Sequence, residues 1–338
     1  MVFEMTTDYV KRFANLRTDT SPARWPAVTC HRAPYKPFML LAVIDLIAQG
    51  VIQTNFVEFN ADLMDVFDLY WDRIMGREKS SNPVMPFFHL RSEGFWHLVP
   101  VPGKEQALAA TPRIPSIGLL RRLVLGVTLD AALFEMLLNE ETRDDLQRVL
   151  IETYFTPEVR PELAELGQIS AESFQYSLEL LGRSKGRFRL KLEELQEEQE
   201  HYHPVSRSTA FRRVVVKAYD YTCAMCRIRV FSPEGRVAVV AAHIVPWSES
   251  HNDDPRNGMA LCGLHHWTFD QGLVSATPDY RIEVSPVVPA DEEGAEPLLS
   301  LAERRLHLPV DRTLWPARKA LKWHRAEVFR AEVPPRLL

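Results

Sequence analysis

Apolar runs closed by single glycines set the pattern of the first part of the chain. "KPFMLLAVIDLIAQG" has Pro37 near its start, a long apolar stretch and Gly50 as a stop, which predicts a helix. "NADLMDVFDLYWDRIMG" predicts a second helix, with Asn60 as N-cap and Gly76 at its end. "FFHLRSEGFWHLV" sets two aromatic-rich runs around Ser92, Glu93 and Gly94, which predicts a short β-hairpin. "LDAALFEMLLNEETRDDLQRVLIETYF" has helical periodicity and predicts one or two amphipathic helices. Residues 1–165 are thus expected to form a mainly helical domain with a small hairpin.

The pattern changes over residues 166–204. "LKLEELQEEQEHYHP" is charged and helix-prone, with Pro204 as its end. It reads as a helical linker or as a solvated surface helix of one domain. His201 and His203, in this stretch, and His251 further on read as surface residues. The second module, residues 205–338, starts with "TAFRRVVVKAYDYTCAMC", a helix running into a Cys-x-x-Cys turn. "RVAVVAAHI" reads as a strand, "GLHHWTFDQG" as a short helix, and "LWPARKALKWHRAEVF" as a helix packing back on the module. The expected class is α+β.

Composition narrows the picture. With 338 residues, 46% hydrophobic and 25% charged, the chain has room for two domains with substantial cores. No apolar run approaches the roughly 20 residues of a membrane helix. "MVFEMTTDYVKRF" is interrupted by charges and lacks a signal-peptide core, so a cytoplasmic location is expected. A net charge of -5 argues against non-specific coating of DNA but leaves room for a local basic face. Of the four cysteines, Cys223, Cys226 and Cys262 fall in one 40-residue window, which in a reducing compartment points to metal. Cys30 has no assigned role.

Cys223 and Cys226 are two residues apart in between, as are Cys262 and His265. Three thiolates and one imidazole suit a structural, tetrahedral Zn²⁺ site, the alternative being small buried hydrophobes. His266 is then free for another task, because adjacent helix residues point about 100° apart. Asp270 shares its face at i+4. The pair suits a second ion, Mg²⁺ or Mn²⁺, although Asp270 is equally a helix-end hydrogen-bonding residue. His243 ends an apolar strand, and Asn257 lies between it and His266.

"AAHIVPW…NGMALCGLHHWTFDQG" resembles the HNH endonucleases, with their ββα-metal fold. The resemblance implies that His243 activates water, that Asn257 positions that histidine or its loop, and that His266 binds a divalent ion. An imidazole can take a proton from water near neutral pH, and cleavage would leave a 5′ phosphate. Many members carry Asp, Glu or His before the first histidine; here it is Ala242, which puts the ligand set in doubt. Arg212, Arg213 and Lys217, with Arg207, Arg227 and Arg229, make a basic stretch expected to contact phosphate, or else a solvated helix face.

In the first domain, "CHRAPYKPFMLL" and "SSNPVMPFFHLRSEGFWHL" place cations beside a Pro and aromatic surface. The "KPFMLL" and "MPFFHL…GFW" runs resemble the sulfur-binding domains of McrA-like type IV restriction enzymes, in which an N-terminal domain reads phosphorothioated DNA and an HNH domain cuts it. The resemblance implies DNA contacts at His31, Arg32, Pro86 and Phe87, with Lys36 behind them. Met85 stands where an aromatic is common. The bland alternative makes Pro86, Phe87 and Phe88 hairpin core, with Lys36 and Pro37 starting a helix. The expected function is modification-dependent cleavage of double-stranded DNA, two-strand cutting suggesting a homodimer. The rivals are an HNH enzyme for 5-methylcytosine or unmodified DNA and a non-catalytic zinc-stabilised DNA-binding regulator.

Overall fold

The computed structural model describes residues 2–76, 78–191, 202–289 and 294–332. The chain divides into two units, Met1–Ala171 with Ser232–Arg236, and Glu172–Phe231 with Val237–Leu338. The division falls inside one helix.

Unit 1 is built around α2 (Tyr35–Ala48), which follows α1 (Val2–Ala14). Every residue of α2 from Lys36 to Ile47 is buried, so it is a central helix and not an amphipathic surface one. α3 (Ala61–Met75) packs on it. The Asn60 side chain accepts the Leu63 N–H at 3.1 Å, as the N-cap pattern predicts, and Gly76 follows the last turn with a positive φ. Further on lie α4 (Val84–His89), α5 (Glu105–Ala109), α6 (Ile117–Leu123), α7 (Ala131–Leu138) and α8 (Glu140–Tyr154). The last two split the predicted amphipathic segment at Asn139, whose side chain caps α8. α9 (Arg160–Arg183) follows.

The predicted hairpin over "FFHLRSEGFWHLV" is corrected. Phe87 and Phe88 lie in α4, a 3₁₀ turn spans Leu90–Glu93, and only β1 (Trp96–Pro100) is a strand. Its antiparallel partner is β2 (Val124–Leu129), with Trp96 opposite Leu129. The reason is burial. Phe87 and Phe88 are neighbours and both fully buried, which a helix allows and the alternating faces of a half-exposed strand do not. Pro86 fits the first helical turn, where its missing N–H leaves no helical bond unmade.

Asp45 is buried in α2. Burial pushes its carboxyl up from the ordinary 3.8 to about 7, against hydrogen bonds from Tyr70 and Ser170 that pull it down. The folded chain therefore holds this proton more tightly than the unfolded chain. The resulting stabilisation is complete below about pH 4 and is lost as pH rises through 7, up to roughly 4 kcal/mol. Asp45→Asn is expected to flatten that decline, measured by urea unfolding at acidic and alkaline pH. A variant that loses as much stability as the wild type would remove Asp45 as its source.

The charged linker is partly outside the described residues: residues 192–201, including His201, are not described. Pro204 does not end a helix. It occupies the first position of α10 (Pro204–Ala218), where proline is preorganised, and the His203 side chain caps it by accepting the Val205 N–H at 3.2 Å.

Unit 2 has at its centre a hairpin of β3 (Val239–His243) and β4 (Gly258–Cys262), in register from Val239 opposite Cys262 to His243 opposite Gly258. The one-turn α11 (Trp247–Ser250) lies between them, and α12 (Gly263–Asp270) follows β4 without a loop and packs on β3. This is a ββα arrangement. β5 (Val274–Ala276), β6 (Ile282–Val284), α13 (Glu296–Leu299) and α14 (Arg318–Glu327) complete the unit. α14 packs back on β5, burying Ala320, Leu321 and His324. His324 stacks on Phe269, and burial holds its imidazole down near 4, so it is a neutral packing element.

Two glycines set distances here. A Cβ on Gly258 would lie 2.6 Å from Val215 and 2.8 Å from Phe211, so only glycine lets α10 approach the strand opposite His243. Gly272, at φ +68°, would place a Cβ 2.1 Å from the Val328 carbonyl and so closes α12 against the end of α14. Among the described residues, no helix is long and apolar enough to cross a membrane.

Candidate active site

Cys223 and Cys226 sit in a tight turn after α10. The turn is closed by Arg227 N–H to the Cys223 carbonyl (3.0 Å) and fixed to β4 by Ala224 N–H to the Ala260 carbonyl (2.7 Å). Cys262 ends β4 and opens α12, and His265 lies one turn into that helix. The donor atoms of Cys223, Cys226, Cys262 and His265 all lie within 4.8 Å of one another.

The spacing fits a metal and not a disulfide. Cys226 and Cys262 sulfurs are 3.9 Å apart, against about 2.05 Å for a covalent bond. Tetrahedral zinc with bonds of about 2.3 Å separates its sulfurs by roughly 3.8 Å. The His265 Nδ1 is 3.1 Å from the Cys262 sulfur and 3.5 Å from that of Cys223. Hydrogen bonding with Cys223 and burial push the Cys262 thiol up to about 11, while the same contact holds Cys223 down; burial also raises Cys226. A bound cation would favour the thiolates. His265 is 3% exposed, whereas the next residue, His266, has a side chain 36% exposed. The neighbouring imidazoles thus face different surroundings.

His243, at the end of β3, is held on three sides. Its ring stacks on Phe211 at 3.9 Å, nearly parallel, and Trp247 lies 6.3 Å away. Its Nε2 is 2.9 Å from Asp253 Oδ1. Asp253 is buried, and its other oxygen accepts from Arg207 (3.1 and 3.3 Å) and from the Tyr176 hydroxyl (3.2 Å). Burial and the Asp253 charge push the Tyr176 phenol well up, so it stays a donor. With the Asp253 carboxylate as acceptor, a neutral His243 carries its proton on Nε2 and leaves Nδ1 with a lone pair.

Asn257 is fully buried, and its side-chain hydrogen bonds go to backbone groups. Its Oδ1 accepts the Val245 N–H, and its Nδ2 donates to the Val245 and Asn252 carbonyls, all at 3.0 Å. It clamps the loop that leaves His243. His266 Nε2 lies 3.4 Å from Asp270 Oδ2, both side chains reaching solvent. Adjacent ligands of an octahedral ion with bonds of about 2.1 Å are roughly 3.0 Å apart, so the pair can hold Mg²⁺ or Mn²⁺ with water and substrate oxygens completing the shell. Ala242 is buried and offers no ligand atom.

The other expected contacts divide by burial. Arg213 is 8% exposed and is corrected: its side chain is buried in unit 2 and is not part of an exposed basic face. Arg207 is bound to Asp253 and lies over Trp247, with 3.6 Å from guanidinium carbon to ring centroid; Arg229 is bound to Asp220. Arg212 is half-buried and Lys217 exposed. In unit 1, Pro86 and Phe87 are corrected too, because both are buried and form no solvent-facing cup. Lys36 is buried and bonded to Ser92 and Glu93, so it cannot reach a phosphate without breaking that ion pair. His31 is exposed, in the left-handed region, with Nδ1 3.0 Å from the Trp25 carbonyl. Arg32 is half-buried over the Tyr154 ring.

Sequence reasoning missed Asp253, Arg207's bond to it, and Tyr176. The available signal was the acidic pair Asp253–Asp254 placed between His243 and Asn257. Asp254 instead caps the turn before Asn257 and binds Arg256.

Residues 223–275 match the family described as HNH endonuclease, and residues 6–168 match the family described as ScoMcrA-like, DNA sulfur-binding domain. Among solved structures, one described as a modification-dependent TagI restriction endonuclease is similar at 19% identity, over 37% of this chain and 39% of that one, with a TM-score of 0.29. The chain thus spans well under half of that protein. No curated protein matches.

Proposed function

From a chain that joins a DNA sulfur-binding domain to an HNH endonuclease domain, and is therefore a DNA nuclease, we propose a restriction endonuclease that reads phosphorothioated DNA. The observation that carries this reading is the occurrence of both matches in one chain. The HNH centre supplies cleavage with little target choice, and the first unit supplies the choice.

His243 Nδ1 takes the proton of a water as its oxygen attacks phosphorus, and the bond to the 3′ oxygen breaks; that oxygen takes a proton from solvent water, leaving a 5′ phosphate and a 3′ hydroxyl. Asp253 holds the imidazole ring and its Nε2 proton in place, and Asn257 holds the loop behind it. A divalent ion held by His266 and Asp270 would stabilise charge on the phosphate and on the leaving oxygen. Zn²⁺ would be held by Cys223, Cys226, Cys262 and His265, four protein ligands that would leave no open position and so suit bracing and not chemistry.

Reading is placed on the exposed parts of the two stretches of unit 1, His31 and Met85, with Arg32 between solvent and Tyr154. Lys36 supports them from below, its bonds to Ser92 and Glu93 tying the start of α2 to the turn after α4. Sulfur is larger and less hydrated than oxygen, so an apolar contact such as the Met85 thioether favours it. That contact supplies about 1–3 kcal/mol. Two-strand cutting by one HNH centre per chain calls for two copies, and cysteines kept as ligands fit the cytoplasm.

Matched plasmids with and without phosphorothioate, incubated with the protein and Mg²⁺ or Mn²⁺, test the reading. Cutting is expected only on the sulfur-bearing plasmid. Equal cutting of both would remove the sulfur claim. Binding without cutting would favour a DNA-binding regulator.

A further inference from the structure

Most arginines of unit 2 near the zinc turn are engaged by carboxylates. Arg229 binds Asp220, Arg256 binds Asp254, and Arg281 faces Asp279 and Glu303. Arg227, Arg304 and Arg305 differ. Among the described residues, none of the three has a carboxylate within ion-pair distance, and all are exposed. With Met225 and Cys226 they line one cavity of about 320 Å³. Arg305 acts on Asp279 only through space, while Arg281 takes that carboxylate at 3.6 Å.

The backbone fixes this cluster in place. Arg227, at φ +62°, turns out of the cysteine turn while its N–H remains bonded to Cys223. His307 N–H donates to the Ala224 carbonyl at 2.7 Å, tying the Arg304–Arg305 segment to the same turn. Ile282 N–H donates to the Arg304 carbonyl at 2.8 Å, and Arg305 bridges to Arg281.

We propose that Arg227, Arg304 and Arg305 form a DNA-backbone subsite that holds a phosphodiester away from the scissile bond. The proposal rests on the reading of the chain as a DNA nuclease. Charge supports it. A zinc held by three thiolates and an imidazole would carry -1, and Asp279 with Glu303 exceeds Arg281 by one more negative charge; against these the three guanidiniums leave one positive charge in a chain whose net charge is -5. Guanidinium forks match the paired oxygens of a phosphate, and such a contact gives affinity and register without sequence information. Position supports it as well. The turn bearing Arg227 and the helix bearing His266 are joined through one four-ligand cluster, so the gripped phosphate and the cleaving centre would be held at a fixed separation.

The test is duplex binding followed by fluorescence anisotropy over a salt series, without divalent ions, on phosphorothioated and unmodified DNA. R304A/R305A is expected to lower affinity for both duplexes by the same factor and to reduce the slope of log affinity against log salt by about 1. R304K/R305K should keep most of that slope, and R227Q tests the site from the other side. Zinc content and thermal melting identify any variant that fails to fold, leaving the lysine variant and R227Q to decide. An unchanged slope in folded R304A/R305A, or a loss confined to sulfur-bearing DNA, overturns the subsite while leaving the nuclease reading intact. A wild-type protein that binds neither duplex overturns both.

Discussion

Replacing His243 by alanine is expected to slow DNA cleavage by about 10²–10⁴-fold, the usual contribution of a positioned general base. DNA binding, zinc content and melting should change little. The reason lies in what surrounds the ring. Asp253 is the group endangered by the change, being a buried carboxylate that loses one partner, but Arg207 and Tyr176 still satisfy its other oxygen. The stacked contact with Phe211 contributes about 1 kcal/mol. The loop beyond the strand is held by Asn257 through backbone groups that do not involve the imidazole. Single-turnover cleavage alongside a binding isotherm separates the two effects. A His243→Ala protein cutting within tenfold of wild type would show that another group takes the proton.

Asp253→Asn sharpens the same expectation. A carboxamide turning its N–H₂ toward His243 Nε2 would favour the tautomer with the proton on Nδ1, the atom assigned to accept it from water. A loss comparable to that of His243→Ala then follows from one atom's change of character, with the ring still in place. A merely structural role for Asp253 would lower melting temperature without this selective loss of rate.

The contrast between His243 and its partners shows what a linear sequence can and cannot carry. The cysteine and histidine spacing was legible because each half of the cluster is local, two intervening residues in a single turn. The order strand, loop, helix was legible for the same reason, and it places His265 and His266 back to back. Asp253 was not legible, because its role depends on Tyr176 and Arg207, which come from helices 77 and 46 residues away in sequence. Lys36 reads as a surface cation until Glu93, 57 residues on, is found beneath it. Arg213 reads as part of a basic face, yet α10 also buries Ala210, Phe211, Val214, Val215 and Val216, leaving little of its circumference exposed. Around Pro86, a run rich in aromatics suits either a strand or a buried helix, and neighbouring burial decided for the helix.

Removing the metal from the four-ligand cluster is expected to have the largest effect on the fold. Structural zinc in small modules is worth about 10–16 kcal/mol at neutral pH, comparable to or above the 5–15 kcal/mol that holds a whole domain together. Near the active site the ion adds to a core in which Val239, Ala242, Met259, Ala260 and Leu261 are buried together with Phe211 and Val215. The central hairpin has five-residue strands, and two-stranded ribbons of that size are marginal alone. The cluster joins the exit of α10, the end of β4 and the first turn of α12, the three places that position Phe211, the strand opposite His243, and His266. Without the cation the sulfurs have each other, one imidazole and a few backbone N–H groups, with the Cys226 and Cys262 thiols already raised. Chelation, or Cys223→Ser at a fully buried position, should therefore unfold the hairpin and α12 and abolish cleavage. Met1–Ala171, which has its own core around α2, should remain folded. Hydrogen exchange by mass spectrometry reads the units separately: protection should vanish over β3, β4 and α12 and persist over α2 and α3. A metal-free protein that keeps protection in the hairpin would mean that packing, and not the ion, holds the catalytic side chains in place.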